Sequence, residues 1–505
     1  MKRFHHAALV CICAGCLLFG APDLRLTDGP EVRTALDHIS ADSMKGNLSF
    51  LASDALEGRE TPSRGLDIAA EFIASQFRRA GLEAPVDDTY FQNADFVQVT
   101  RRSGGIQLKL DYRGEATLIE PESVTISRAN AALNIESLPI YKLSGDDMPP
   151  DEVSGKAVVL TSRANAATIR RLRAKSVALI VITSSGGARR NSDAAAARRE
   201  LIAEDQVDTP STPVVSVRGD SARKAFESLP DGLTVATLTL HAPGPQREGV
   251  KLRNVIGLLR GSDPQLKDTY IIVTAHYDHL GMKPVTDTTG DSKEGRIYNG
   301  ANDDGSGVVS VIELAYALAS MHPHPRRSIV FMTVFGEERG LLGSQYYGRH
   351  PVFPLDHTVA DINLEQVGRT DDNERPQVAS ATFTGFTYSD VPALFAEAGK
   401  AFGIKVYDRN PGDDPYFSRS DNQALADAGI PSHTVAVALE YPDYHSIGDK
   451  WYKIDYSNMS AIDRMLGLGI ISLADDPISP KWNDSNQNSS KYLNAWKTLH
   501  PAPAN

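Results

Sequence analysis

The second half of this 505-residue chain alternates apolar runs that suit β-strands with apolar runs spaced as in helices. The clearest runs are 270–275, 308–319, 329–335, 359–364 and 434–439. Strand-like runs that alternate with helical ones predict a sheet with helices on both faces, so we expect an α/β fold. Ligands bind such sheets beyond the carboxyl ends of the strands, and the residues that follow each run are therefore candidates for a site.

Histidines and carboxylates follow most of these runs or stand in the loops between them. They are His276, Asp278, Asp303, Asp304, Glu337, Glu338, Glu365 and His445. Each has an ordinary explanation when taken alone, since adjacent glutamates, for example, suit the start of a helix. Gathered together, they would repel one another and lose hydration unless cations lay among them. Imidazole and carboxylate ligands without sulfur suit zinc, and one shared carboxylate would permit a two-metal site.

The N-terminus, "MKRFHHAALVCICAGCLLFGAP", is typical of a secretory signal peptide, which we assign to residues 1–21. All three cysteines lie inside it, so the processed chain would have no thiol and no disulfide. Within it, "CAGC", which ends at Cys16, faintly resembles a lipoprotein signal. The apolar residues after Cys16 favour export without a lipid anchor. No later run reaches membrane-spanning length without charges, so we expect no membrane span in the processed protein. We expect the processed protein in the periplasm or outside the cell.

Composition narrows the possible partners. The net charge is −12, and basic residues are scattered rather than clustered, which argues against nucleic-acid binding. The sequence lacks GxSxG and HExxH motifs, which argues against serine hydrolases and single-helix zinc proteases. Its length and 41% hydrophobic content predict more than one domain, whereas the oligomeric state is left open.

Five ordered motifs carry a resemblance to a known family: "AHYDHLG", "NGANDDGSGV", "GEERGLLGS", "INLEQVG" and "HSIGD". They resemble the zinc aminopeptidase and glutamate carboxypeptidase family, which implies a bacterial leucyl aminopeptidase-like α/β fold and peptide substrates. The segment "FLASDALEGRETPSRG", residues 50–65, is also similar to the family's start. A segment with short β-like runs such as "VSGKAVVL" and "TPVVSV" resembles a protease-associated domain.

The sequence pattern and the resemblance together predict a domain plan. It consists of an N-terminal part of the peptidase domain at 35–109, a β-rich protease-associated insert at 110–245, the zinc peptidase catalytic domain at 246–476, and a loosely packed polar extension at 477–505. Every candidate ligand lies after the insert, so we expect the insert to supply no catalytic group.

The resemblance also implies roles for individual residues. His276 and Glu365 would bind one zinc ion, Glu338 and His445 the other, and Asp303 would bridge the two. Asp278 would orient His276 by fixing its tautomer. Glu337 would be the general base that takes a proton from the attacking water and passes it to the leaving amine. The glycines around Asp303 would allow a tight turn, and the peptide after Asp303 is commonly cis in the family.

Some positions depart from the family pattern or match no role in it. Glu365 is more often Asp in the family, which could alter the geometry of one metal site. His279 and Asp304 match no ligand, so we expect indirect or surface roles. Asp421 fits either the wall of the site or a helix N-terminal cap.

Four functions of this fold are compatible with the motifs. An aminopeptidase is favoured because an α-ammonium group would meet several carboxylates. A carboxypeptidase would need a clamp such as Arg409 or Arg419. A glutaminyl cyclase would hold one zinc ion, and a receptor-like binding protein none. The preferred side chain of the substrate is not predicted, because loops such as 384–390 and 408–418 would build that pocket.

Overall fold

The structure is a computed structural model. It describes residues 24–101, 104–129, 131–143, 149–161, 166–184, 198–208, 211–283 and 295–501. The predicted signal peptide therefore lies outside the described residues. Two compact units are present, one formed by residues up to 92 and from 253 onwards, the other by residues 93–252.

The helices are α1 (Pro30–Leu36), α2 (Ala41–Leu51), α3 (Arg64–Arg79), α4 (Ala166–Ala174), α5 (Asp220–Glu227), α6 (Gly307–Ala319), α7 (Leu342–Arg349), α8 (Val391–Phe402), α9 (Asn422–Asp427), α10 (Tyr456–Asp475) and α11 (Ser490–Leu499). The strands are β1 (Phe91–Arg101), β2 (Gln107–Tyr112), β3 (Glu115–Ile119), β4 (Val124–Ser127), β5 (Leu133–Leu143), β6 (Ala157–Leu160), β7 (Leu179–Ser184), β8 (Arg198–Ala203), β9 (Val214–Arg218), β10 (Gly232–Ala242), β11 (Gln246–Leu259), β12 (Tyr270–His276), β13 (Gly281–Met282), β14 (Ile297–Tyr298), β15 (Ser328–Val334), β16 (Thr358–Leu364), β17 (Ser380–Phe383), β18 (Lys405–Tyr407) and β19 (Ser432–Ala436).

The central sheet of the larger unit is mixed, with strand order β18-β17-β19-β16-β12-β15-β11. Strands β15, β12, β16 and β19 run parallel, and β11 and β17 join them antiparallel. Every residue of β12 and β15 is buried, which fits their continuous apolar and β-branched sequences. Helices α6 and α10 contact β12, and α7 contacts β15. The predicted mixed α/β fold is thus confirmed.

The helices reflect local sequence signals. Helix α3 begins after Ser63, whose hydroxyl accepts a hydrogen bond from the Leu66 N–H at 3.1 Å. Its apolar face is buried, and the chain leaves it through Gly81 at φ +80°, a conformation that favours glycine. The capping serine thus sets the start of the helix at Arg64.

The smaller unit, residues 93–252, holds an eight-stranded sheet with order β3-β2-β10-β5-β6-β7-β9-β4. Its middle strands β5, β6, β7 and β9 are parallel, and α5 contacts β7 and β9. The unit begins before and ends after the predicted insert at 110–245, since β1 and β11 each carry the chain from one unit into the other.

The C-terminal segment corrects one expectation. The polar residues from 477 were expected to pack loosely, but Trp482 is buried and its indole N–H donates to the Gly429 carbonyl at 2.7 Å. Tyr492 in α11 stacks against Trp482 in the same apolar cluster. Burial of these two large aromatic side chains is enough to pack the segment, although most of its residues are polar. Among the described residues, no helix combines the length and the apolar character that crossing a bilayer requires.

Candidate metal centre

Four candidate residues come together because parallel strands end at one edge of the sheet. His276 is the last residue of β12 and lies level with Val334 at the end of β15. Glu337 and Glu338 follow in a short 3₁₀ turn, and Glu365 comes directly after β16. Residues far apart in sequence therefore meet at the carboxyl edge of the sheet, as predicted.

Asp303 reaches the same place from the loop before α6. Gly300 has φ +57°, and a Cβ atom there would lie 2.5 Å from Cγ of His279, so the turn requires glycine. The buried carboxylate of Asp449 accepts hydrogen bonds from the N–H groups of Asn302 and Asp303 at 3.0 and 3.2 Å. These contacts fix the direction in which the Asp303 carboxylate points.

Asp304 has an organising role that sequence reasoning left undefined. The peptide bond between Asp303 and Asp304 is cis. The buried carboxylate of Asp304 accepts hydrogen bonds from the backbone N–H groups of His276 at 3.3 Å, Gly307 at 3.1 Å and Gln366 at 3.1 Å. Asp304 therefore joins the ends of two strands to the start of α6, and the alternative of a surface role is wrong.

One group of potential ligands consists of His276, Asp303 and Glu365. A ligand atom from each lies within 4.8 Å of the others. Nε2 of His276 is 3.2 Å from Oδ1 of Asp303, and the imidazole is about 1% exposed. This set, called here the enclosed cluster, includes the predicted ligands of one ion.

A second group shares Asp303 and is called here the open cluster; it contains Glu338, His445 and His279. Nε2 of His445 lies 3.2 Å from Oδ2 of Asp303 and 3.4 Å from Oε2 of Glu338. Nδ1 of His279 lies 2.8 Å from Oε1 of Glu338 but 4.0 Å from Oδ2 of Asp303. His279 is buried, so of its two expected roles, indirect or surface, the surface alternative is wrong. In the sequence, the position of His279 directly after Asp278 was the feature that could have indicated a place at the site.

Asp278 and Glu337 adjoin the enclosed cluster. Nδ1 of His276 lies 3.2 Å from the Asp278 backbone carbonyl and 3.5 Å from its carboxylate. The Asp278 carboxylate accepts a hydrogen bond from the Glu337 N–H at 3.1 Å. The Glu337 carboxylate is 4.0 Å from Nε2 of His276. Asp278 thus holds both the histidine and the backbone of the proposed base.

The arrangement fits metal ions because buried polar atoms face one another without normal hydrogen bonds. Within the described residues, Nε2 of His276 and Oδ2 of Asp303 are buried and lack a hydrogen-bond partner. Such atoms are costly unless something satisfies them. A set of imidazole and carboxylate donors that converge without pairing suits zinc.

Protonation at the centre shows how strongly these groups interact. Burial raises the pKa of Glu337 well above its ordinary value, and nearby Glu365 adds to the shift. Burial likewise raises the pKa of Glu365 to about 7. Asp303 and Glu338 raise the pKa of His445 to about 10. Protons here compensate the clustered negative charge, and metal ions would compete with them.

A cavity of about 310 Å³ opens beside the two clusters. Its lining includes Asp303, Glu337, Glu365 and His445, together with Tyr416, Arg419, Glu440 and Tyr444 from surrounding loops. The guanidinium carbon of Arg419 lies 5.4 Å from the ring centre of Tyr416.

Two further candidates are resolved by their contacts. Arg409 is almost fully buried and pairs with Asp372 at 2.9 Å and with Glu374 at 3.1 Å, so its charge is already matched. Asp421 precedes α9 but makes no capping bond. Its buried carboxylate accepts a hydrogen bond from the Ser344 hydroxyl instead, and burial raises its pKa to about 6.

Residues 254–468 match the model of peptidase family M28. The matched region runs from β11 into α10 and holds both clusters. The resemblance carried by the five motifs is therefore confirmed.

Curated proteins similar to this chain include a probable zinc metalloprotease and a probable glutamate carboxypeptidase. A probable zinc metalloprotease of Pyrenophora teres f. teres (strain 0-1) is 36% identical over 121 residues, which cover 24% of each chain. A probable glutamate carboxypeptidase VP8 of Zea mays is 26% identical over 313 residues, 54% of this chain and 40% of its own. The chain spans about a quarter of the length of the first curated relatives it matches.

Among solved structures, an aminopeptidase from Aneurinibacillus sp. strain AM-1 has a similar fold, with a TM-score of 0.55 and 16% identity. The match covers 89% of this chain and 98% of that one. At that identity the likeness establishes the fold alone.

Proposed function

We propose that this chain is an exported zinc aminopeptidase that hydrolyses the N-terminal peptide bond of its substrates. The observation that carries the proposal is the charge of the cavity beside the two clusters. Among the described residues that line it, Asp303, Glu337, Glu365 and Glu440 carry carboxylates and Arg419 carries a guanidinium. Such a field favours the α-ammonium group of a peptide.

We propose two zinc ions per chain. His276 and Glu365 would hold one, Glu338 and His445 the other, and Asp303 both. His445 approaches Asp303 and Glu338 with a single nitrogen, whereas His279 closely approaches Glu338 alone, so we assign His279 to holding Glu338 in place. Zinc ions at these positions would supply positive charge that polarises a carbonyl group and balances the carboxylates.

Glu337 is the proposed general base. Its carboxylate faces the cavity beside His276, and burial raises its pKa, which makes it a stronger proton acceptor than an ordinary glutamate. It would take a proton from the attacking water as oxygen bonds to the carbonyl carbon. The same proton would then pass to the leaving amine as the C–N bond breaks.

The smaller unit is proposed to be a protease-associated domain that supplies no catalytic group, since all the proposed ligands lie in residues 276–445. Export is proposed from the composition of residues 1–21.

A free-amine peptide, its N-acetylated twin and its C-amidated twin test which end is cleaved. Acetylation should abolish cleavage, because it removes the charge that the carboxylates attract, while amidation should be tolerated. The opposite pattern would overturn the proposal.

A carboxypeptidase is the second candidate, because Arg419 lies in the cavity wall and could clamp a terminal carboxylate. In that case Arg419→Gln would raise the KM of the free-acid peptide and leave that of the amide unchanged. Zinc content separates the other candidates, since we expect about two ions per chain, against about one for a cyclase and none for a receptor-like protein.

A further inference from the structure

Residues 58–61, Gly58-Arg59-Glu60-Thr61, belong to the N-terminal stretch that resembles the family's start and has no role in the proposed mechanism. This segment lies beside the chain that leaves β12. The N–H groups of His279 and Gly281 donate to the carbonyls of Arg59 and Gly58, both at 3.1 Å. Gly58 has φ +75°, and a Cβ atom there would lie 2.4 Å from the Gly281 carbonyl oxygen. The two backbones are therefore in close contact.

Arg59 ties this segment to both loops that carry His276 and Asp303. Its side chain is about 1% exposed. The guanidinium donates to the carbonyls of Tyr277 at 2.9 Å, Asn299 at 2.8 Å and Gly300 at 2.9 Å. These carbonyls flank the two ligands in sequence. A planar guanidinium offers five donors in a fixed geometry and can hold these three carbonyls, on two segments, in set directions, whereas an ammonium group has three donors and no such fork.

Thr61 reaches the centre by a second route. Its hydroxyl donates to Oδ2 of Asp278 at 3.0 Å, and both side chains are buried. Oδ1 of the same carboxylate accepts the Glu337 N–H at 3.1 Å, and the carboxylate lies 3.5 Å from Nδ1 of His276. The orientation of one carboxylate therefore depends on Thr61 and bears on both a ligand and the proposed base.

Glu60 makes a third connection, an ion pair with Arg339, which follows Glu338 in the chain. Both side chains are more than two-fifths exposed, so solvent screens this pair and its contribution should be small. Glu60 therefore serves as an internal comparison for its two buried neighbours.

We propose that residues 58–61 form a positioning segment of the zinc centre, in which Arg59 and Thr61 set the affinity for zinc by holding the loops of His276, Asp303 and Glu337. The inference rests on the proposed function, because it requires zinc at these ligands. Neither residue touches substrate in this scheme; both act through the groups that they hold.

Thr61→Val tests the inference with little change in volume. Zinc affinity is measured by competition with a chelator, and the melting temperature is measured on zinc-free protein. We expect zinc to bind about 10- to 100-fold more weakly, the usual effect of losing a hydrogen bond behind a ligand. Thr61→Ser, which keeps the hydroxyl, should restore the affinity.

Thr358→Val is the matched control. Thr358 is also a buried threonine that donates to oxygen, here the Pro354 carbonyl at 3.1 Å, but it lies at the opposite end of β16 from Glu365. The Thr358→Val variant should lower the melting temperature of the zinc-free protein about as much as Thr61→Val does, and it should leave zinc affinity unchanged. Glu60→Gln should also leave zinc affinity nearly unchanged.

Arg59→Lys keeps the positive charge but removes the planar guanidinium, and it should weaken zinc binding at least as much as Thr61→Val. If this variant fails to fold, Thr61→Val and its serine rescue decide the question. Normal zinc affinity in folded Thr61→Val, with a lowered melting temperature alone, would overturn the inference and leave the proposed function intact. A wild-type chain that binds no zinc would overturn both.

Discussion

The enclosed and open clusters share Asp303 but are built differently. The enclosed cluster takes His276 from the end of β12 and Glu365 from the end of β16, and His276 is about 1% exposed. The open cluster takes Glu338 from a short turn and His445 from a loop. The His445 side chain is 38% exposed and stacks on Tyr444, with ring centres 4.0 Å apart.

This difference teaches that two sites of similar chemistry need not hold metal equally well. Side chains at the ends of buried strands are positioned more precisely than those on loops, and a ligand that does not move costs less to order. We therefore expect zinc in the enclosed cluster to bind more tightly and exchange more slowly than zinc in the open cluster.

The largest effect should come from the residue that the clusters share. Asp303→Asn removes the charge from both and should reduce zinc content below that of any variant confined to one cluster, with activity at background. Zinc analysis and peptide hydrolysis measure this. Asp220→Asn, at an exposed acid of the smaller unit, is the control. Full zinc content in Asp303→Asn would show that the clusters do not share this ligand.

Two adjacent glutamates separate catalysis from metal binding. Glu337→Gln should lower the rate by about two to four orders of magnitude and leave zinc content unchanged, because it removes a proton acceptor. Glu338→Gln should instead lower zinc content, since it removes a ligand of the open cluster. Rate and zinc content are measured on the same preparations. Wild-type activity in Glu337→Gln would contradict its assignment as the base.

The comparison of the clusters is tested directly with their histidines. His445→Ala should lose the weaker zinc ion and keep the tighter one, whereas His276→Ala should lose the tighter. Stepwise removal by a chelator, followed by zinc analysis, distinguishes the ions. The expected difference in affinity is at least about tenfold, the scale on which geometry around a ligand acts. Loss of the tighter ion from His445→Ala would reverse the ranking.

Much of the centre was predictable because parallel strands have a fixed geometry. Apolar runs located β12, β15 and β16, and their shared direction brings His276, Glu337 and Glu365 to one edge of the sheet. Local sequence was enough for these residues. The motifs, through the family resemblance, added Asp303 and His445, which stand in loops that no periodicity describes.

The remaining features depend on contacts between distant residues. The N–H of His279, in the open cluster, donates to the Arg59 carbonyl, and the indole N–H of Trp482 in the polar tail donates to the Gly429 carbonyl. Neither partner is near in sequence, so no local pattern could identify it. The position of Arg409 likewise depends on Asp372, 37 residues away.

The smallest effect concerns the sheet that carries the enclosed cluster and sets the pH range for metal experiments. His433 in β19 is fully buried; Nδ1 lies 2.8 Å from the Thr384 carbonyl and Nε2 lies 2.6 Å from the Ser389 hydroxyl. Burial lowers its pKa to about 4. In the unfolded chain this histidine is protonated below about pH 6.5, whereas in the folded chain it is protonated only below about pH 4. The contribution of neutral His433 to the free energy of unfolding is therefore fully present above pH 6.5 and is lost as the pH falls towards 4.

His433→Gln should remove that loss, which amounts to at most about 3 kcal/mol. Urea unfolding of zinc-free protein at pH 7 and pH 5 measures it in both chains. Asp361 has the opposite effect, because burial raises its pKa to about 8 and its contribution is lost as pH rises. Asp361 is present in both chains, so the difference between them isolates His433. An equal loss of stability in wild type and variant would show that His433 is not the group that protonates.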